Sequence, residues 1–309
     1  MPHHREVDTI NRRSGIAFAF LTPNLLGFMV FTFLPVLAAL GLSLYRWDLF
    51  HAPSFVGLRN FVELLGWYQE DGQIHANDPG FWKYLGNTLF LMMGIPVNMA
   101  AALFIALVLN QKIRGRVFFR TVFFLPTICT GVGVMLLWMW IYNPEFGLLN
   151  HLLSLVGVEG PSWLRSYAWA KPSIMIMGLW GAMGGTNMII YLAGLQGIPP
   201  ELYEAADIDG ASSAAKFWYV TLPALTPTTF FIFITSVIGG FQGGFDAAYV
   251  MTRGGPDGAT TTISYYIFEH AFQWFNMGYA ATIAVVLFAL VLLVTLVNWK
   301  FGGKRVQYV

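Results

Sequence analysis

Six apolar runs organise this chain, at roughly residues 16–45, 85–109, 118–142, 173–196, 226–249 and 277–301. Each reaches the length of about 20 residues that a hydrocarbon core about 30 Å thick requires of a helix. Backbone groups in lipid must pair within their own segment or in a closed barrel. A barrel would show short strands of alternating polarity, whereas these runs are continuous. The pattern predicts an all-α, polytopic membrane protein with six transmembrane helices. Its parts are an N-terminus at 1–15, a first transmembrane helix at 16–45, a loop at 46–84, a core of five helices over 85–301, and a C-terminus at 302–309.

Between the fourth and fifth runs lies an island of charge and turn residues at 200–224, too acidic to sit in lipid. Pro199 and Pro200 suit a helix start, since the first turn leaves the missing N–H unused. Glu201 and Glu204 fall where the helix dipole favours acids. Ala205 and Ala206 form helix well and leave a low-profile surface for another backbone. Gly210 stops the helix in a left-handed conformation that a Cβ would disfavour. Ser212 or Ser213 caps a second short helix carrying Lys216, Phe217 and Trp218, which Pro223 ends. The prediction is a helix, a sharp bend and a helix. One reading makes it an interfacial helix lying on lipid. Its four acids, Glu201, Glu204, Asp207 and Asp209, would be repelled by an anionic cytoplasmic leaflet, which favours a protein partner.

Composition supports the membrane reading. The chain is 56% hydrophobic and 11% charged, and a soluble fold would expose large apolar patches. A net charge of +1 conceals a distribution. Arg5, Arg12 and Arg13 precede the first run, and Lys112, Arg114, Arg116 and Arg120 fill the short link before the third. Lys216 lies in the island, and Lys300, Lys304 and Arg305 close the chain. Arg46, Arg59, Lys83, Arg165, Lys171 and Arg253 are spread over three longer loops. The positive-inside rule then places both termini and the island in the cytoplasm.

The apolar run after Gly15 continues for about 30 residues, past the 7–15 of a signal h-region, so it is expected to remain as a span. Cys129, the only cysteine, forms no intrachain disulfide and reads as a buried, inert thiol. Ionisable residues are nearly missing from the runs, with Asp246 near the outer end of the fifth. Ion-coupled carriers and voltage sensors place such groups at membrane depth. No G-x-x-x-x-G-K-[ST] loop is present, so the chain is not expected to bind ATP. His51, His75, His151 and His270 lack metal-ligand spacing, and no catalytic constellation is visible. No metal site, catalytic residue or nucleic-acid partner is expected.

Glu204-Ala205-Ala206, three residues, then Gly210, followed by Leu222-Pro223 and Pro227, resembles the EAA loop of permease subunits of binding-protein-dependent ABC importers. The extended form Glu-Ala-Ala-x-x-Asp-Gly-Ala matches from Glu204 to Ala211. Residues 116–148 and 251–283, Asn87-Thr88-Leu89, Gly254 to Pro256, and Asn276 to Ala281 resemble sugar permeases of the carbohydrate-uptake type. The resemblance implies the type I permease fold and a bacterial or archaeal inner-membrane location. It implies a second permease subunit, heteromeric in the commoner pattern, and two ATPase subunits that carry the ATP and Mg. An extracytoplasmic binding protein would deliver a sugar or polyol. Glu204, Ala205, Ala206, Asp207 and Gly210 would be the ATPase-coupling residues, with Gly210 a helix stop on either reading.

For the substrate path, Gln242 and Asp246 with Phe241 and Phe245 offer hydroxyl partners beside flat apolar faces, although the glycines around them also suit close helix packing. The fourth run offers Trp180, Asn187 and Tyr191, where Thr186 and Asn187 serve equally as interhelical hydrogen-bond partners. Asn187, Tyr191 and Gln242 are the candidates. The 46–84 loop, with Trp47, Trp67, Trp82 and His75, and the turn-rich Arg253 to Asp257 segment are candidate surfaces for a binding protein, while interfacial Trp also anchors spans. The competing functions are a gradient-driven secondary transporter acting without an ATPase, and a membrane enzyme.

Overall fold

The computed structural model describes residues 18–111, 114–129 and 131–302. The expected cytoplasmic N-terminus at 1–15, the first two residues of the first run, Lys112, and residues 303–309 of the C-terminus lie outside them. Among the described residues, five helices are long and apolar enough to cross a membrane: Phe18–Leu42, Pro79–Asn110, Tyr167–Gln196, Thr226–Thr252 and Met277–Lys300. They are the first, second, fourth, fifth and sixth spans. In place of a continuous third span stand two helices, Arg116–Ile128 and Gly131–Ile141, which are apolar enough together and bent by 97°, making six spans in all if the pair crosses as one. The sequence predicts one continuous helix here. Pro126 lies inside the first piece and Cys129 after it is extended, and a proline ring removes a donor and crowds the preceding turn. Cys129 is exposed rather than buried.

The second and fourth spans begin earlier than the apolar runs do. Asp78 caps the second by accepting from the Phe81 N–H at 2.9 Å, with Pro79 in the first turn, so Lys83 lies within the helix. Lys171 likewise lies within the fourth, near Pro172. Between the first two spans, Tyr45–Arg46 pairs antiparallel with Ser54–Phe55, and Trp67–Glu70 with Gln73–Ala76. The second pair turns through Asp71 and Gly72 at φ 49° and 75°, the left-handed angles a tight hairpin needs. The helix Arg59–Leu65 lies between the pairs.

Three clusters form the core. Near the 200–224 element, Met99, Ala102, Ala106 and Leu109 of the second span pack on Met188, Tyr191, Leu192 and Leu195 of the fourth. Ala102 and Ala106 let the two helices approach closely. At the opposite end, Phe81, Phe241, Ile263, Tyr266, Tyr279 and Ile283 form a second cluster. Trp138, Tyr142, Trp163 and Ile174 centre the third. The Arg253 to Asp257 segment leads into a fully buried loop, Ala259 to Thr262. Asn87 donates to the carbonyls of Gly258 and Thr261 at 2.8 and 3.0 Å, and the Ile263 N–H donates to Thr88 Oγ1 at 3.1 Å. This turn-rich stretch is core beyond its exposed residues Arg253 and Asp257.

Candidate functional site

Pro200–Ile208 is a helix with Glu201 in its first turn. It closes through Gly210 at φ +73°. The Ala211 N–H reaches back to the Ala206 carbonyl at 2.9 Å, and the Gly210 N–H to that of Asp207 at 3.1 Å. These two bonds satisfy the last carbonyls, and they require a left-handed residue. A Cβ at Gly210 would meet nothing within 4 Å, so glycine serves here for its backbone angle and not for space. Ser212 caps the next helix by accepting from the Ala215 N–H at 3.2 Å. The chain then runs helically through Ser213–Lys216 and Phe217–Thr221 to Leu222–Ala224.

Leu202 and Tyr203 pack on the neighbouring core cluster, and the Tyr203 and Thr221 hydroxyls share a hydrogen bond of 2.9 Å. Lys216 Nζ pairs with Asp207 Oδ1 at 2.6 Å, tying the helices across the bend. Nothing in the spacing pointed to that pair. On the other face Glu204, Ala205, Asp209 and Gly210 are exposed, as is Asp207 beside its Lys216 partner, and Ala206 is half-buried. Ile208, between Asp207 and Asp209, is 87% exposed, and Trp218 and Tyr219 on the second helix are 61% and 82% exposed.

A cavity of about 420 Å³ lies between the second, fourth and fifth spans. Thr88, Leu91, Met92, Ile95 and Asn98 line one side, at the spacing of one helix face. Gly239, Gly240, Gly243 and Gly244 line another, beside Asn187, Ser236 and Thr262. A Cβ on Gly240 would meet Met92 Cγ at 2.8 Å, so this glycine provides both close helix packing and open space. Asn187 Nδ2 faces Ser236 Oγ at 3.5 Å. No lining side chain is ionisable, and among the described residues no group of three His, Cys, Asp or Glu could hold a metal. Of the three sequence candidates, Asn187 alone lines the cavity. Tyr191 is 1% exposed inside the core. Gln242 is exposed at the end of its helix, its carbonyl accepting from Ser264 at 2.9 Å. Thr88, Asn98 and Ser236 were missed. Their signal was a small polar residue within an otherwise apolar run.

The end opposite the 200–224 element is pinned by polar side chains. Asp78 accepts from Tyr266 Oη at 2.9 Å and Tyr279 Oη at 2.6 Å. Asn60 donates to the carbonyls of Ser43 and Tyr45 at 2.9 and 3.0 Å. Lys171 Nζ donates to Asn87 Oδ1 at 3.0 Å and lies 4.9 Å over the Phe90 ring. His270 sits among Tyr266, Trp274 and Tyr279, with ring centroids 4.5, 4.5 and 4.7 Å away. Burial lowers its pKa to about 4, opposed in part by the Asp78 carboxylate. Burial also raises the pKa of Glu269.

Residues 94–299 match the family described as binding-protein-dependent transport system inner membrane component. The probable ABC transporter permease protein YesP of Bacillus subtilis is 36% identical, over 96% of this chain and 94% of that protein. The trehalose/maltose transport system permease protein MalF of Thermococcus litoralis is 34% identical, over 95% and 96%. The fold matches a chain of a bacterial ABC transporter that imports the acidic polysaccharide alginate. That match has a TM-score of 0.81 and 23% identity, and covers 98% of this chain and 100% of that one.

Proposed function

This chain belongs to the family of binding-protein-dependent transport system inner membrane components, and from that premise we propose that it is the sugar-translocating half of an ATP-driven importer. It is a permease subunit and not an enzyme. In this reading it pairs with a second, different permease, and two separate ATPase subunits bind the ATP and Mg. An extracytoplasmic binding protein delivers a sugar or related polyol. Both termini and the 200–224 element face the cytoplasm. Glu204, Ala205, Ala206, Asp207 and Gly210 present the helix that an ATPase cleft receives.

The observation that carries the coupling assignment is the exposed face of the 200–224 element. Its bend is fixed by the closure at Gly210 and the Asp207–Lys216 pair, while Ile208 stands 87% exposed. A large apolar side chain on a rigid, solvated bend is what a partner pocket buries. The trehalose/maltose relative supports a carbohydrate. The cavity supports a neutral one. Its polar lining is Thr88, Asn98, Asn187, Ser236 and Thr262 beside apolar walls, which suits hydroxyls and flat ring faces and leaves a phosphate or carboxylate unpaired. The same lining gives an ion-driven carrier no group to protonate.

The test is isolation of the tagged chain from its native membrane in mild detergent, with bound proteins identified by mass spectrometry. An ATPase, a second permease and a binding protein are expected. A partner-free chain that transports in liposomes without ATP would refute the reading. Uptake of sn-glycerol-3-phosphate in preference to neutral sugars would refute the substrate assignment alone.

A further inference from the structure

Arg116 and Arg120 stand one turn apart at the start of the helix Arg116–Ile128, so their guanidinium groups share a face. Both converge on one neutral group. With its oxygen turned toward them, the Gln196 amide accepts from Arg120 Nη2 at 3.2 Å and from Arg116 Nη2 at 3.3 Å. The Nε of each arginine is buried without a hydrogen-bond partner among the described residues. The ion pairs among the described residues join Asp48 with His51, Lys83 with Asp257, and Asp207 with Lys216, and none reaches these arginines. Gln196 ends the helix Thr186–Gln196, whose terminal carbonyls supply about half a negative charge. Among the described residues, two full positive charges are left mostly uncompensated in a half-buried setting, which is costly unless an anion completes it.

The surroundings say what kind of anion. Phe119, three residues after Arg116, and Val117, three residues before Arg120, flank the pair on the helix and are 42% and 78% exposed, so the pair adjoins apolar surface. It also lies at the end of the bundle rich in Lys and Arg, where interhelical basic pockets take anionic headgroups. Arginine forks match phosphate oxygens two at a time, as lysine does not. We propose that Arg116 and Arg120, closed by Gln196, bind the phosphodiester of an anionic phospholipid, whose acyl chains cover the exposed Val117 and Phe119. Because Gln196 lies just before Pro199 and Pro200, which open the exposed helix, the bound headgroup fixes the root of the 200–224 element. A carboxylate from a neighbouring subunit is the rival occupant.

The test uses the chain purified with the subunits that accompany it and placed in phosphatidylcholine nanodiscs. Phosphatidylglycerol is titrated in, and retained lipid is read by native mass spectrometry. The wild type is expected to keep one phosphatidylglycerol per copy of this chain. Arg116→Gln with Arg120→Gln should weaken retention about tenfold, the loss of at least one charge-assisted bond. Arg116→Lys with Arg120→Lys keeps the charge without the fork and should fall between. A wild-type complex with no preference for phosphatidylglycerol over phosphatidylcholine overturns the proposal, whatever the variants do. So does equal retention by the Gln variant, or loss of a protein subunit from it with lipid retention unchanged. Displacement of the lipid by inorganic phosphate in a parallel titration would make this a free-phosphate site and overturn the lipid assignment.

Discussion

The two ends of this bundle are held by different kinds of bond. At the Asp78 end, hydrogen bonds cross long stretches of sequence. Asp78 meets Tyr266 and Tyr279, Asn87 meets Gly258 and Thr261, and Thr282 Oγ1 donates to the Ser43 carbonyl at 3.1 Å. Within the 200–224 element itself, the polar bonds are local. They are the closure at Gly210, the Ser212 cap, the Asp207–Lys216 pair and the Tyr203–Thr221 contact. The first end is therefore a frame whose parts cannot move separately. The second is a preformed shape resting on the bundle through Leu202, Tyr203 and Ala224, and in the proposed reading it is gripped and moved as a unit. A transport subunit driven by a partner needs both.

The largest effect should come from breaking the shape itself. Gly210→Pro cannot reach φ +73°, since proline holds φ near −65°. ATP-coupled uptake should fall to background while the purified complex retains its permease pair. Normal uptake by this variant would move coupling elsewhere in the chain. Gly210→Ala meets no steric obstacle and costs about 1 kcal/mol of backbone strain, so it should keep reduced uptake.

Breaking the frame should instead cost stability. Asp78→Ala removes a helix cap worth about 1 kcal/mol and leaves two tyrosine hydroxyls without their acceptor, at about 1–3 kcal/mol each. The unfolding midpoint in detergent should drop accordingly, and whatever stays folded should transport. Asp78→Asn keeps an acceptor oxygen and should lose about 1 kcal/mol. An unchanged midpoint for Asp78→Ala would show that the two ends are equally loose.

What the sequence showed follows the same division. The 200–224 element was legible because its determinants are local: Pro200 to start, Gly210 to stop and Ser212 to cap act within a few residues. The frame was not, because Asp78 and Tyr279, or Asn87 and Thr261, carry no shared signal along the chain. Hydropathy also misplaced the start of the second span, since Lys83 interrupts the apolar pattern while the Asp78 cap and Pro79 begin the helix before it. The bend of the third span had a signal in Pro126, outweighed by the continuity of the apolar run. Asn187, predicted for its polarity within the fourth span, lines the cavity. Tyr191, one turn further along, turns into the core.

The frame should also respond to acid in a way the 200–224 end does not. His270 has a folded pKa of about 4 against an ordinary 6.5. The unfolded chain therefore takes up the proton first, and stability is complete above about pH 6.5 and declines as pH falls toward 4. The full decline is roughly 3 kcal/mol. Denaturation midpoints at pH 7 and pH 4.5 should differ for the wild type and differ less for His270→Gln. Equal slopes in the two proteins would remove His270 from the frame.

The smallest effects should come from the cavity between the two ends, where they separate a substrate contact from a packing residue. Asn187→Ala takes away one hydroxyl partner without opening the core, at about 1 kcal/mol, so half-saturation for sugar should rise about fivefold with the maximal rate retained. Tyr191→Phe removes only a hydroxyl from a ring that is 1% exposed and does not line the cavity. It should leave half-saturation within about twofold. Tyr191→Ala, by contrast, should cost about 3–5 kcal/mol of stability, as large-to-small core changes do. Gln242→Ala tests whether the path extends beyond the cavity this chain forms alone. Gln242 is exposed in the single chain, so a change in half-saturation matching that of Asn187→Ala would place it on a surface that the second permease completes. No change would leave Asn187 as the one sequence-predicted contact on the path.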